Sequence, residues 1–301
     1  MVSWPALGTR VTVRYRRPAG SMPPLTDAVG HLLETTPLVR VQTKTGALVQ
    51  FAPADVVAVR TLSDAPVRNS QIRSLEHAAA LAWPGVQQAW LDGWLLRAGH
   101  GATFPANSAV PLDSSADLAA IPAIVDWYRQ RDLVPRLAIA DRLLRLPGAG
   151  EQANEMLVCD VRSARPDPTV RLSARPDEGW LRSYQPEVPV DVLTAVVDGE
   201  LVFGTLAGLA TARASVTDAP DGTRWVGLSA VRMTDPQHAA GSALCEALLA
   251  WGAARGATRG YVRVRDDDHA GAGLAQSLGF ALHHRARYLT VTAALAEGRF
   301  T

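Results

Sequence analysis

Apolar and polar residues alternate in short runs over the first sixty positions. Val11, Val13 and Tyr15 take turns with Thr12, Arg14 and Arg16, which is the period of a half-buried strand. Val39 and Val41 alternate with Arg40 and Gln42. Lys44, Thr45 and Gly46 predict a turn, and residues 47–51 return as the partner strand. Pro53 stops that strand and residues 56–59 give a last short one. Several short strands in so little chain predict a small β-barrel, with the Pro-rich stretch 18–24 as one of its loops.

Beyond residue 64 the period changes. Ile72, Leu75, Ala79 and Ala82 fall at helical spacing, and Pro84-Gly85 ends that helix. Residues 90–98 read as a strand pair around Asp92-Gly93. Leu118, Ile121, Val125 and Tyr128 share one face of a helix over 117–131, and a strand follows at 135–140. Loop chemistry at 163–169 predicts a linker. Further on, the pattern predicts a short helix at 180–185 and strands at 193–197 and 201–203 around Asp198-Gly199. Strands follow at 206–216 and 225–233. Leu244, Leu248 and Trp251 mark a helix over 240–255. It is followed by a strand at 261–264, a helix at 270–277 and a strand at 287–291. A meander of strands, then helix, strand, helix, strand, predicts an α/β (α+β) domain with a mixed sheet. The expected domains are 1–63, 64–165 and 170–301, with the first boundary at 63–66.

Composition narrows the function. The 301 residues suit two or three domains, and an apolar share of 48% can fill their cores. Thirty basic against 29 acidic residues leave a net charge of +1. That argues against disorder and lacks the basic excess of a nucleic-acid binder. Arg14, Arg16 and Arg17 accordingly read as a solvated strand face. No apolar run reaches the roughly 18 residues of a membrane helix. The N-terminus lacks a secretion signal, so the expectation is a cytoplasmic protein without membrane contact. Cys159 and Cys245 form neither a disulfide framework nor a zinc pattern, and no metal is expected. Asp266, Asp267 and Asp268 read as a solvated loop entering a helix. Nothing indicates the oligomeric state.

Residues 225–288 carry a more specific pattern. A strand at 225–233 leads into His238-Ala239-Ala240-Gly241-Ser242-Ala243 and a long helix. A second helix, opened by Asp268, closes at Leu278-Gly279-Phe280. This order resembles the acyl-CoA-binding half of the GCN5-related N-acetyltransferase superfamily. Residues 68–161 resemble a diverged first copy of the same fold, through Trp94-Leu95-Leu96-Arg97 and residues 106–112. Residues 1–63 resemble the SH3-like barrel that precedes some actinobacterial members. The resemblance implies tandem mixed-sheet halves, acetyl-CoA as acyl-donor substrate and an amine as acceptor. It implies that Val231, Arg232 and Met233 meet the pantetheine arm. His238, Ala239, Ala240, Gly241 and Ser242 would place a helix N-terminus against the pyrophosphate, where free N–H groups and the helix dipole favour an anion. Asp268 stands at the usual asparagine position. Ala275 stands where many members carry the tyrosine that protonates the departing thiolate. No carboxylate lies on the 225–233 strand to act as base. His284 and Tyr288, on the strand after Phe280, are therefore the catalytic candidates, and Asn107 and Ser108 are candidate pocket residues. Two readings follow: an acetyl-CoA-dependent N-acetyltransferase, or a degenerate acyltransferase acting as a CoA-binding or interaction module.

Overall fold

In the computed structural model, which describes residues 4–5, 7–18, 20–43, 46–61, 67–146, 150–162, 167–184, 187–234 and 239–296, the alternating N-terminal stretch forms five antiparallel strands. They are β1 (Arg10–Arg16), β2 (Leu25–Glu34), β3 (Val39–Thr43), β4 (Leu48–Phe51) and β5 (Val56–Thr61), in the order β4-β3-β2-β1-β5. Val11 and Val13 point inward with Ala28, Leu32, Val39, Val41 and Phe51. Arg14 lies on the outer side of β1 and pairs with Asp27 at 2.9 Å. The long strand β2 escapes the sequence pattern because its inward face carries small Ala28 and Gly30, while Val29 and Leu33 face outward. The expected barrel is an open sheet among the described residues. A 3₁₀ turn at Pro53–Asp55 parts β4 from β5, and these two end strands do not pair.

This sheet falls in one of two compact units, Met1–Pro66 and Val67–Thr301. The expected boundary at 63–66 lies outside the described residues.

The second unit opens with α1 (Asn69–Ala82), which Trp83, Pro84 and the positive-φ Gly85 end. A three-stranded antiparallel sheet follows, of β6 (Gln87–Leu91), β7 (Trp94–Ala98) and β8 (Val110–Pro111). Next come α2 (Ile121–Arg129), β9 (Arg136–Ala140), β10 (Glu151–Asp160) and β11 (Arg171–Ser173). The rest is α3 (Glu178–Tyr184), α4 (Val190–Leu193), β12 (Glu200–Leu206), β13 (Ala210–Asp218), β14 (Arg224–Met233), α5 (Ala239–Ala253), β15 (Arg259–Arg265), α6 (His269–Ser277), β16 (Ala281–Thr290) and the short α7 (Ala293–Ala296). The strand expected at 193–197 is replaced by the end of α4. Pro189 starts that short helix, and Val192 and Leu193 bury against Trp180 and Phe203. Among the described residues no helix is long and apolar enough to cross a membrane.

Eight strands form the main sheet, ordered β11-β12-β13-β14-β15-β10-β16-β9, and Ala109 beside β8 bridges it to Leu137 on β9. Every neighbouring pair is antiparallel except β14 and β15. The sheet crosses the expected boundary at 165–170. Strand β10 comes from before it, yet lies between β15 and β16 and pairs with both. Residues 64–165 and 170–301 therefore share one sheet instead of folding as separate layers.

Period-two alternation gives the sheet two different faces. Ala212, Ala214, Val216, Val226, Leu228 and Val264 pack with Leu244 and Leu248 of α5 in an apolar core. Trp225, Tyr261, Met156 and Val158 pack with Leu75 and Ala78 of α1 on the opposite face. Gly252 sets the spacing of α5 on the sheet: a Cβ there would fall 2.5 Å from the Val226 Cβ. Gly252→Ala should therefore destabilise the protein by about 1–3 kcal/mol from overpacking. Helix propensity alone would favour alanine by about 1 kcal/mol. Chemical denaturation checks the sign, and a rise in midpoint contradicts the packing account.

Candidate functional site

Strands β14 and β15 run parallel only from Trp225 opposite Arg259 to Leu228 opposite Val262. Beyond Leu228 they separate. On the other side of β14, Arg213 faces Ser229 and Thr211 faces Arg232, so Ala230 and Val231 both stand opposite Ala212. This is a β-bulge. Ala230 takes φ +52°, a left-handed conformation that costs a residue bearing a Cβ and that clusters at functional sites. Ala230 and Val231 have no register partner on either neighbouring strand.

Two cavities open at this split. One, about 360 Å³, lies between the strand ends, α5 and α6. Its wall includes Val231, Arg232 and Met233 on β14, Val262 and Val264 on β15, and Asp268, Leu274 and Ala275 on α6. The other, about 290 Å³, lies under α1 and is lined by Glu76, Trp83, Arg97, Arg213, Tyr261 and Tyr288 among others. The two share Leu228, Ser229, Ala230, Arg232, Arg263 and Arg265, so they meet across the parted strands.

The residues expected from sequence divide between these places. Val231, Arg232 and Met233 line the larger cavity, as do Asp268 and Ala275. Asp268 caps α6, its Oδ1 accepting from Gly271 N–H at 2.8 Å. Ala239, Ala240, Gly241 and Ser242 form the first turn of α5. Gly241 is buried, and a Cβ on it would fall 2.2 Å from Met233 Sδ, so this glycine seats the helix against the strand end. His238 lies outside the described residues. Tyr288 lines the smaller cavity, and burial raises its phenol pKa, which keeps the proton on the oxygen. His284 lines neither cavity. It sits behind Glu76, its Nε2 2.8 Å from Glu76 Oε1 and its Nδ1 2.7 Å from His283 Nδ1. Asn107 and Ser108 also lie off the cavities. Asn107 clasps the loop after β7, accepting from Gly99 and Gly101 N–H, and Ser108 holds Arg97.

Pattern reading missed the polar layer under α1. Along β13, Arg213, Ser215 and Thr217 alternate with Ala212, Ala214 and Val216. That alternation ordinarily marks a solvated face, but all three polar residues are about 1% exposed. Thr217 Oγ1 donates to Ala78 O at 2.9 Å, and Arg213 reaches Ala82 O at 2.8 Å, so the polar face is clamped beneath the helix. Glu76 belongs to the same layer, on the buried side of α1. Both of its oxygens accept from Arg263 Nη2 at 2.8 Å, and Arg263 Nη1 donates to Asn154 Oδ1. Burial alone would raise the Glu76 carboxyl; Arg263 and His284 outweigh it and hold the pKa well below the usual carboxylate range. Glu76 is thus an anchored anion and a weak base. His284 Nε2 meets Glu76 and its Nδ1 meets His283 Nδ1, so the three side chains form one continuous hydrogen-bonded chain. Burial, and then His284, push the His283 pKa down to about 4. Among the described residues, no group of three or more His, Cys, Asp or Glu side chains is placed to hold a metal ion.

Comparison with known proteins follows the same division of the chain. The profile described as "Probable histone acetyltransferase Rv0428c C-terminal" matches residues 69–289, and "Rv0428c N-terminal Sm-like domain" matches residues 5–60. A protein of Mycobacterium tuberculosis named probable histone acetyltransferase Rv0428c is 65% identical over 294 residues, which cover 96% of this chain and 97% of the relative. Among solved structures, a GCN5-related N-acetyltransferase from Kribbella flavida superposes with a TM-score of 0.50 at 15% identity. It covers 77% of this chain and 99% of its own, a likeness of fold.

The buried cluster predicts a pH-dependent stability. Glu76 is depressed below its unfolded value of about 4.3. Its contribution is present above that pH and is lost as pH falls toward the folded value. His283, at about 4 against roughly 6.5 unfolded, adds a loss of stability as pH falls between those values. Unfolding free energy should therefore decline from about pH 6.5 downward. Glu76→Gln should cost about 3 kcal/mol at neutral pH by leaving Arg263 unpaired. Denaturant titrations at several pH values check both, and a flat profile or a neutral substitution contradicts the cluster's role.

Proposed function

The chain belongs to the family of the probable histone acetyltransferase Rv0428c, a GCN5-related acetyltransferase by fold, and from that membership we propose that it transfers an acetyl group from acetyl-CoA to an amine. The observation that carries this reading is the meeting of two cavities across the gap between β14 and β15. A thioester in the larger cavity would present its carbonyl carbon to an amine in the smaller one.

The unpaired stretch at Ala230 and Val231 supports such a donor pose. Ala230 and Val231 have no register partner, so this backbone can bond the pantetheine arm as an added strand would, with Val231 O exchanging the bond it accepts from Arg232 Nη1 at 2.9 Å. A backbone N–H there can also hold the oxyanion of the tetrahedral intermediate, a term that typically contributes a few kcal/mol in acyl transfer. The first turn of α5, at Ala239, Ala240, Gly241 and Ser242, points unpaired N–H groups at the pyrophosphate, with His238 just before it. The neutral amine attacks the carbonyl carbon, the C–S bond breaks, CoA leaves as thiolate, and the nitrogen's extra proton passes to water. A thiol of pKa about 8.5 leaves without full protonation, so Ala275 in place of a tyrosine slows the step without forbidding it. Tyr288, protonated and facing the acceptor cavity, is the proton donor we assign: its proton goes to the departing thiolate, and the proton the nitrogen gives to water restores the phenol. His284 acts through Glu76 as a positioning residue.

One observation favours a second reading. Ala275 offers no acid and Glu76 is held by Arg263, as in an acyltransferase that has kept binding and lost turnover. Titration with acetyl-CoA and CoA, followed by CoA release against an amine panel, separates the two. Acetyl-CoA at 100 times its dissociation constant should stabilise the protein by about 2.7 kcal/mol. Tyr288→Phe should lower turnover by about 10²-fold, the low end for a general acid, and Ala275→Tyr should raise it. No melting shift at millimolar acetyl-CoA contradicts donor binding. Tight binding with no CoA release from any amine selects the second reading.

A further inference from the structure

The smaller cavity has a charge imbalance. Six charged side chains line it, and three of them are settled locally. Arg263 is paired with Glu76 at 2.8 Å, which uses the cavity's one carboxylate, and Arg265 is paired with Asp267. Arg97, Arg213 and Arg232 remain, and none of them has a carboxylate partner among the described residues. Arg97 donates to Ser108 O, Ser108 Oγ and Trp83 O at 3.0–3.4 Å. Arg213 donates to Ala82 O, Leu193 O and Ala195 O at 2.8 Å each and to Ser229 Oγ at 3.3 Å. Arg232 stands at the exposed mouth, with its guanidinium carbon 5.2 Å from the centre of the Tyr184 ring.

Carbonyls and hydroxyls satisfy N–H groups but do not neutralise a charge. The helix ends at Ala82 and Leu193 offset part of the Arg213 charge through their dipoles. The Glu76 carboxylate favours the Arg97 cation, but Arg263, its own partner, opposes that effect. Burial opposes both inner cations: it lowers the pKa of Arg97 and brings Arg213 down to about 9. Unpaired buried charge is retained at a cost unless a counter-ion arrives. Arg97 Nη1 and Nη2 each make one bond, leaving one N–H apiece that an oxyanion could accept. The same field disfavours an ammonium, so it repels a cationic lysine-rich chain. It also pushes a bound amine toward the neutral form that can attack.

We propose that the acceptor is a small amine bearing its own oxyanion, a carboxylate or phosphate a few bonds from the nitrogen, held by Arg97 and Arg232. The volume of about 290 Å³ can hold such a molecule. This rests on the acetyl-transfer reading for its chemistry, but its binding can be measured without turnover.

The test is calorimetric titration of the full-length protein saturated with CoA. The ligands are the twenty amino acids, their carboxamides, phosphoethanolamine, ethanolamine and a lysine-rich basic peptide. CoA release from acetyl-CoA is measured on the same panel. At least one anionic amine should bind about tenfold more tightly than its neutral analogue. Arg232→Gln, exposed and safe for folding, should shrink that ratio toward one. Amino acids and phosphoethanolamine distinguish the carboxylate from the phosphate. Amides or the basic peptide binding as tightly as the anionic amines, or no ligand binding at all, overturns the proposal. An anionic preference in a protein that releases no CoA would overturn acetyl transfer and leave this inference standing. CoA release with the basic peptide alone would do the reverse.

Discussion

The parallel pair of β14 and β15 holds for four residues and then lets go, and the rest of the site depends on where it does so. An uninterrupted pair would close the sheet and leave no passage between its faces. The bulge at Ala230 rotates the end of β14 away from the ladder, and its positive φ is the local cost of that turn. Ala230 and Val231 are left without register partners, and Val231 O accepts from Arg232 Nη1 instead. The same geometry explains Gly241, which lets Met233, beyond the bulge, lie against the start of α5.

A second constraint sits behind the opening. The α1 face of the sheet is polar yet covered, so its charged groups are held by local partners, while Ser215 Oγ is buried without a hydrogen bond among the described residues. Glu76 is the centre of that arrangement: it draws Arg263 and His284 together and so ties α1 to β15 and β16. The cluster fixes one wall of the smaller cavity and leaves the remaining arginines without a counter-charge. The wall and the cationic lining that the proposed acceptor would meet thus come from one polar layer. Its carboxylate is consumed in building the wall, and its surplus is cationic.

The elements were legible in the sequence wherever one face was apolar and the other polar. That held for α1, β1 and the order from β14 to β16, while the β6–β7 hairpin was legible through its Asp92-Gly93 turn, because β7 is buried throughout. It failed where burial did not follow hydrophobicity. The core side of β2 is Ala28, Gly30 and Leu32, while Val29 and Leu33 face outward, so the strand gave no clear alternation. The 193–197 stretch is apolar enough for a strand, but Pro189 and packing on Trp180 and Phe203 make α4. The placement of β10 between β15 and β16 is a long-range pairing that no local period encodes. In the site, the strand end and the α6 wall were readable as one contiguous motif. Glu76, Arg97, Arg213 and Arg263 were not, because they come from four separate elements and meet only on the shared face. Their one local trace is the alternation of Arg213, Ser215 and Thr217, which is ambiguous until the covering helix is known.

The central claim is that the parted ends of β14 and β15 form the passage between donor and acceptor. A crystal structure of the protein with coenzyme A tests it most directly. The account predicts the pantetheine arm along Ala230 to Met233, the sulfur at the split facing the cavity of Arg97 and Tyr288, and the pyrophosphate at the first turn of α5. Coenzyme A bound elsewhere, with the Ala230 bulge untouched, would contradict it.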